Sequence, residues 1–206
     1  MATVVDTVVL QYFLLVEKQE LLLDLLNPPV GVPRIVYDPG DGASTDTAVS
    51  ELRRSIRYEE RLVDTSPNDA DRKAATERAR RLRHIDQMIG NTIQVLDMTG
   101  PELDVFQGFV ADEPDEQFGL FAPLGAGEAA CIAIALERGH VMATDDSDAL
   151  RVLHRLRPGH PYERIRRLLI RAGEEDLTTQ DHANEIHRRM REMGFWDTVA
   201  PFPCGQ

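Results

Sequence analysis

The chain has 206 residues, a length that suits one domain with a full core or one domain carrying an inserted subdomain. Hydrophobic residues make up 42% of it, which argues against a disordered protein. The formal net charge of −12 argues against a protein that binds nucleic acid over its whole surface, because such binding needs concentrated lysine and arginine.

Short apolar runs alternate with helical segments at the start of the chain. ATVV at residues 2–5 predicts a buried strand, and the leucine-rich stretch over 7–26 predicts a helix that ends before Pro28. VGV at 30–32 is a second strand candidate, and the turn sequence DPGDG at 38–42 stops any helix that follows it.

Targeting and redox features both indicate a cytoplasmic protein without a membrane anchor. Residues 1–16 have some likeness to a signal peptide, but they lack a basic n-region and Asp6 interrupts them. No apolar run is long enough to span a bilayer. Cys131 and Cys204 are the two cysteines, and neither their number nor their positions indicate a disulfide framework.

Residues 44–90 are highly charged and repeat apolar side chains with helical spacing, which predicts a helical hairpin. The sequence SPND at 66–69 separates its two helices and supplies N-cap candidates. The predicted inward positions are Val49, Leu52, Ile56 and Val63 in the first helix, and Ala75, Ala79, Leu82, Ile85 and Ile89 in the second, which ends at Gly90.

The rest of the chain returns to alternating strands and helices. Strands are predicted at 92–96 and 141–144. Helices are predicted at the Thr99–Glu102 capping box, from a start that carries Glu128 to an end at Gly139, and from Ser147. Two more helices are predicted over 161–173 and from Thr179 to Gly194, the latter with Ala183, Ile186, Met190 and Met193 inward, and an acidic loop over 111–117. This alternation predicts a parallel sheet covered on both faces.

Acidic side chains stand next to the predicted buried strands. Asp6 ends the first strand, Asp145 and Asp146 follow the strand at 141–144, and Glu128 begins a helix. Each could simply cap a helix or complement its dipole. However, TDDSD places three carboxylates within four residues, a density that is repulsive unless solvent or cations offset it. Since the carboxyl ends of parallel strands share one edge, we expect these acids to collect a hard divalent cation there.

Three motifs give the chain a likeness to a known family. They are VVDT at 4–7, GEAACIAIALERG at 127–139 and MATDDSDALR at 142–151. Through them the chain resembles PIN-domain ribonucleases, most closely the prokaryotic kind found among VapC-type toxins and their relatives. The resemblance covers about residues 1–40 and 92–155, and more loosely the C-terminal helices.

The resemblance implies a three-layer α/β/α sandwich around a central parallel sheet, in a single domain spanning residues 1–206. The helical hairpin at about 44–90 would be an insertion, followed later by C-terminal helices at about 161–194. The implied site residues are Asp6, Glu128 and Asp146 as catalytic metal acids, Asp145 and Asp148 as further ligands, Thr144 in a small polar slot, and Asp38 as the acid nearest in place to the family's second acid.

The implied activity is hydrolysis of RNA by water that Mg²⁺ or Mn²⁺ activates. The resemblance also implies an RNA substrate, an antitoxin partner that neutralises a toxin, and a homodimer. Two other hypotheses remain open. One is a PIN-like module that binds or regulates without cutting, which the net charge and the displaced Asp38 favour. The other is an acid-site phosphatase, ranked lower because Val8 stands where a second aspartate would be needed.

Arginine supplies nearly all of the positive charge and occurs in clusters. The clusters are RRSIR at 53–57, RARRLR at 78–83, RIRR at 164–167 and RRMR at 188–191. For each of them we favour a solvated helix face with acid–base pairing, and binding of substrate phosphates is the alternative.

Overall fold

The computed structural model describes residues 1–43, 49–111 and 123–203. The acidic loop beyond residue 111 and Cys204 therefore lie outside the described residues. The described strands are β1 (Thr3–Val5), β2 (Val30–Pro33), β3 (Ile93–Leu96), β4 (Val141–Ala143) and β5 (Tyr162–Glu163). All of them pair in parallel, in the order β3-β2-β1-β4-β5, as the alternation of strands and helices predicts.

The helices form two groups, which is consistent with a three-layer arrangement. Their bounds are α1 (Thr7–Leu15), α2 (Gln19–Leu25), α3 (Glu51–Thr65), α4 (Asp69–Leu82), α5 (Ile85–Met88), α6 (Gly100–Val110), α7 (Ala126–Arg138), α8 (Ser147–Leu156), α9 (Ile165–Glu174) and α10 (Gln180–Glu192). Helix α7 packs on β1, β2 and β4, between α6 and α8, whereas α1 contacts α2, α3, α4 and α10. A short 3₁₀ helix spans Pro39–Ala43.

The direction of the crossovers reverses beside β1. The chain moves outward from β1 to β2 and β3, then returns to β4 on the other side of β1. In an open parallel sheet this reversal leaves a crevice at the carboxyl ends of the two central strands. Asp6 directly follows β1 and Thr144 directly follows β4, so the topology brings them to that crevice.

Helix α7 crosses the central strands in the buried core. All three residues of β1 are buried, and the interior of α7 is buried all around, as its apolar composition predicts. Gly139 ends α7 in the left-handed conformation, which suits a glycine C-cap. Among the described residues, no helix combines the length and the apolar character needed to cross a bilayer.

The single helix predicted over 7–26 is wrong, because the chain turns at Glu17. The Lys18 N–H donates to the Phe13 carbonyl and the Glu17 N–H to Leu14, which is a Schellman ending of α1. Glu17 has φ of 57°, a conformation usually taken by glycine, so the sequence carries no obvious stop signal. The Glu17 carboxylate pairs with arginines of α4, Arg80 and Arg81.

The helix predicted over 161–173 begins too early. Tyr162 and Glu163 instead form β5, which pairs with Met142 and Ala143 of β4. The sheet edge therefore overrides the helical pattern for two residues, and α9 starts only at Ile165. The second helix of the hairpin was predicted to run to Gly90, but it stops at Leu82 and the separate α5 follows. Met193 was predicted to face inward, but it is 37% exposed.

A buried ion pair fixes α6 to α7. Glu102 is 1% exposed and accepts hydrogen bonds from Arg138 Nε at 2.6 Å and Nη2 at 2.8 Å. The same carboxylate accepts from the Thr99 N–H in the predicted capping box. These donors lower the pKa of Glu102 to about 2, with the Arg138 guanidinium as the largest cause.

Glu102→Gln is expected to lower the free energy of unfolding by about 2 kcal/mol at pH 7, since it leaves Arg138 without its charged partner. Because the folded pKa lies below the ordinary value of 4.5, this stabilisation is present above that pH and is lost as the pH falls toward 2. Urea unfolding at pH 7 and pH 3 measures it. Glu185→Gln, which opens an exposed pair with Arg188, should change stability by less than about 0.5 kcal/mol. Equal effects of the two variants would contradict the prediction.

Candidate functional site

A cleft of about 650 Å³ lies where α1, α3 and α7 begin. Four acidic residues line it, and we call it the acidic cleft. Glu59 pairs with Arg78 at 2.8 Å, and we call the other three, Asp6, Glu51 and Glu128, the acids of the cleft. Asp6 and Glu128 were expected there from the sequence, and Glu51 was not. The acidic cleft lies beside the carboxyl end of β1, in the crevice where parallel sheets bind ligands.

Asp6 is the most deeply buried of the three acids, with an exposed fraction of 2%. Its Oδ1 accepts from the Thr7 N–H at 2.7 Å, so it caps α1, and its Oδ2 accepts from the Thr144 hydroxyl at 2.8 Å. Loss of hydration raises the pKa of Asp6 to about 7, and the negative charges of Glu128 and Glu51 add to the rise. Asp6 therefore caps α1, but its carboxylate is also desolvated and lies near two other negative charges, which capping alone does not require.

Glu128 enters the cleft from the first turn of α7. Its pKa is also raised to about 7, mainly by desolvation and then by the charges of Asp146 and Glu51. A Cβ at Gly125 would collide with the Glu128 carboxylate, so glycine is needed for the side chain to take this position. The glycine at position 125 thus has a steric cause.

Glu51 is the acid that the sequence interpretation missed. Its carboxylate accepts a hydrogen bond from the Thr7 hydroxyl and another from the Gly127 N–H, the latter at 2.9 Å. A Cβ at Gly127 would strike this carboxylate, so both glycines of GAGE make room for an acid. The available signal was the dipeptide Ser50–Glu51 at the start of a helix after the second strand.

Asp38, expected in the place of a second acid, is not among the residues that line the acidic cleft. Its Oδ1 accepts from Arg34 Nη1 at 3.0 Å and from the Gly40 N–H at 2.8 Å, in the turn that the sequence predicts. Glu51, on a helix after β2, lines the cleft and Asp38 does not.

Asp145 and Asp146 have different surroundings although they are adjacent. The Asp145 carboxylate accepts from the Ile165 N–H at 2.7 Å and from Arg164 Nε at 3.3 Å, so it caps α9. Burial raises its pKa, and those two donors oppose the rise. Asp146 is half-buried, caps α8 through the Ala149 N–H, and contributes to the raised pKa of Glu128.

Thr144 and Asp148 complete the predicted set. The buried Thr144 hydroxyl donates to Asp6 and accepts from the Asp146 N–H at 3.1 Å, which links the ends of β1 and β4. Asp148 is exposed and pairs with Arg151. Its charge nevertheless contributes to the raised pKa of Glu128.

The charge of the acidic cleft is poorly compensated. Among the described residues, no lysine, arginine or histidine forms an ion pair with Asp6 or Glu128, and the contact of Arg54 with Glu51 is 3.8 Å. Carboxylates are the donors that Mg²⁺ and Mn²⁺ prefer, so the donor set fits a hard cation. The side chains are not gathered around a point, since the described residues contain no group of three His, Cys, Asp or Glu placed to hold a metal ion.

Thr144→Val is expected to raise the pKa of Asp6 by about one unit, because it removes the hydroxyl donor that favours the carboxylate. A carboxyl-detected NMR titration measures this shift. Thr144→Ser keeps the donor and should leave the pKa of Asp6 nearly unchanged, whereas a fall in the valine variant would contradict the assigned hydrogen bond.

Comparison with protein-family models, with curated proteins and with solved structures finds no match to this chain. Function must therefore be inferred from the acidic cleft and its surroundings.

Proposed function

We propose that the protein is a Mg²⁺- or Mn²⁺-dependent endoribonuclease of the PIN type. The observation that carries the proposal is the convergence of Asp6, Glu51 and Glu128 in one cleft beside the switch point of a parallel sheet. Two of these carboxylates have pKa values raised to about 7 and lack cationic partners among the described residues. A site that holds this much uncompensated charge is destabilising, and a bound divalent cation offers the missing compensation.

The acids of the cleft, Asp6, Glu51 and Glu128, would hold the cation, and Asp146, whose charge adds to the raised pKa of Glu128, is a further candidate. If these residues hold a divalent cation, the chemistry it would supply is Lewis-acid activation of a water for in-line attack at phosphorus. Thr144 orients the Asp6 carboxylate, and the Thr7 hydroxyl and Gly127 N–H orient that of Glu51. The Asp145 carboxylate accepts from the Ile165 N–H at the start of α9, so we do not propose it as a ligand.

Cleavage of a labelled RNA pool with Mg²⁺, with Mn²⁺ and with EDTA tests the proposal. We expect cleavage with either metal, none with EDTA, and at least about a hundredfold loss in Glu128→Gln, since removal of a charged metal ligand forfeits several kcal/mol of charge stabilisation. Cleavage that resists EDTA and persists in Glu128→Gln would overturn the proposal.

A second candidate is a PIN-like module that binds or regulates without cutting. The observation that favours it is the absence, among the described residues, of side chains already gathered to hold a metal. This hypothesis predicts that Mn²⁺ does not bind even at millimolar concentration. It also predicts that Glu128→Gln leaves every measurable activity unchanged.

Further parts of the proposal concern partners and setting. If the protein is a toxin of a toxin–antitoxin pair, a partner with basic side chains could neutralise the acidic cleft by direct contact. A prokaryotic cytoplasmic setting, the antitoxin and a homodimer follow only from the resemblance to PIN-domain ribonucleases. Co-purification from the native host tests for the antitoxin.

A further inference from the structure

Helix α3 carries a polar face that leads away from the acids of the cleft. Glu51 begins it, Arg54, Ser55, Tyr58 and Arg61 follow, and all five residues line the acidic cleft. Glu59 of the same helix also lines the cleft, but its carboxylate pairs with Arg78. The positions of the first five residues differ by three or four residues at each step, apart from the adjacent pair Arg54 and Ser55, so they share one side of the helix. At 1.5 Å per residue, Tyr58 lies about 10 Å along the helix from Glu51, and Arg61 about 15 Å.

The aromatic and basic side chains of this face are exposed. Tyr58 is 54% exposed. Its ring takes part in none of the aromatic ring contacts among the described residues. The side chain of Arg54 is 61% exposed. Arg61 is exposed and forms no ion pair within the described part of the chain. Arg54 contacts Glu51 only at 3.8 Å, whereas the arginines of the facing helix α4 pair more closely, with Arg78, Arg80 and Arg81 lying 2.8, 2.6 and 2.9 Å from their acids.

In a chain of net charge −12, this combination of exposed aromatic and basic side chains indicates a class of ligand. An exposed aromatic ring between two exposed guanidinium groups suits an unstacked base flanked by phosphates. Arginine contributes both phosphate pairing and stacking. A double helix keeps the faces of its bases hidden, so it could reach the arginines but could not stack on Tyr58. The face is therefore matched to a single strand that enters the acidic cleft along α3.

We propose that Arg54, Tyr58 and Arg61 bind the single-stranded part of a nucleic-acid substrate, with one base stacked on Tyr58 and neighbouring phosphates held by Arg54 and Arg61. This inference rests on the proposed nuclease function, because it assigns the residues that carry the strand toward Glu51. The hairpin helix α3 thereby supplies both an acid of the cleft and the surface that selects the form of the substrate.

Binding of a fluorescent single-stranded RNA, measured by anisotropy with Mg²⁺ in the Asp6→Asn background, tests the inference without cleavage. Tyr58→Ala should weaken binding by about tenfold or more, and Tyr58→Phe should bind like the parent because it keeps the ring. Arg61→Ala should weaken binding and reduce the slope of log affinity against log salt by about 0.7. Arg155→Ala, an exposed arginine of α8 outside the cleft, is the matched control.

The same RNA annealed to its complement provides the contrast between strand forms. We expect weaker binding of the duplex, with no effect of Tyr58→Ala. Equal affinity of Tyr58→Ala and parent for the single strand would overturn the inference, as would equal losses in Arg61→Ala and Arg155→Ala, provided that melting temperatures are unchanged. Failure of the nuclease proposal gives a different result, namely Tyr58-dependent binding by a wild-type protein that cleaves nothing with Mg²⁺ or Mn²⁺.

Discussion

Asp6→Asn is expected to abolish RNA cleavage and, at pH 8, to make the protein more stable. The buried Asp6 carboxylate faces two other acids and has no cationic partner among the described residues, so its charge opposes folding. Asparagine keeps the shape and remains a good N-cap for α1. Removing the charge should add roughly 2 to 4 kcal/mol to the free energy of unfolding, and the melting temperature should rise by roughly 5 to 15 °C.

The pH dependence of this gain has a definite sign. The folded pKa of Asp6 is raised to about 7 from an ordinary value of 3.8, so the folded state holds a proton that the unfolded chain has released. Stability of the wild type therefore falls as the pH rises from about 4 to about 7 on account of this group. The asparagine variant lacks that fall, so the two proteins should differ little near pH 4 and most above pH 7.

Thermal unfolding of both proteins at pH 4.5, 6 and 8, beside RNA cleavage at pH 8, measures the prediction. Glu185→Gln, which neutralises an exposed acid of α10, is the matched control for the general effect of removing one negative charge. An Asp6→Asn protein that cleaves RNA normally, or that is less stable than the wild type at pH 8, would contradict the account of Asp6. Stability given up for a functional charge is common at active sites.

Glu51→Gln is expected to reduce RNA cleavage by about a hundredfold or more, whereas Asp38→Asn should leave it unchanged. Glutamine retains a carbonyl that can accept from Thr7 or from the Gly127 N–H, so the helix start should remain in place. Only the charge that the proposal assigns to cation binding is lost, which forfeits several kcal/mol of transition-state stabilisation.

Initial rates with saturating Mn²⁺, and the Mn²⁺ concentration for half-maximal rate, separate the roles of these two acids. We expect Glu51→Gln to change both quantities. Asp38 pairs with Arg34 in a turn outside the cleft, so its variant serves as the matched loss of one carboxylate from the same region of the chain. The reverse outcome, with Asp38 required and Glu51 dispensable, would mean that Glu51 only ties α3 to α1 and α7.

Local sequence patterns predict the parts of the site that are themselves local. The apolar run before Asp6, the glycines before Glu128 and the acids after β4 each lie within a few residues of the element that positions them. Glu51 does not. Its hydrogen-bonding partners Thr7 and Gly127 are 44 and 76 residues away in the chain, so nothing near it distinguishes it from the other charged residues of α3.

The same limit explains why the sequence does not distinguish the role of Asp145 from that of Asp146. Adjacent residues at the end of a strand direct their side chains differently, and which one faces the cleft depends on what lies on each side of the sheet. Here α9 offers the Ile165 N–H to Asp145, and this partner is 20 residues further along the chain. The turn at Glu17 was missed for another reason, since a glutamate in the left-handed conformation has no sequence signature.

Titration of Mn²⁺ into the wild-type protein, followed by calorimetry at pH 6 and pH 8, tests most directly whether Asp6, Glu51 and Glu128 form a metal site. The account predicts binding that strengthens as the pH rises through about 7, because bound cation must displace the protons held by Asp6 and Glu128. It also predicts much weaker binding in Asp6→Asn and in Glu51→Gln, and unchanged binding in Asp38→Asn. Absence of binding at millimolar Mn²⁺, or equal binding in all four proteins, would contradict it.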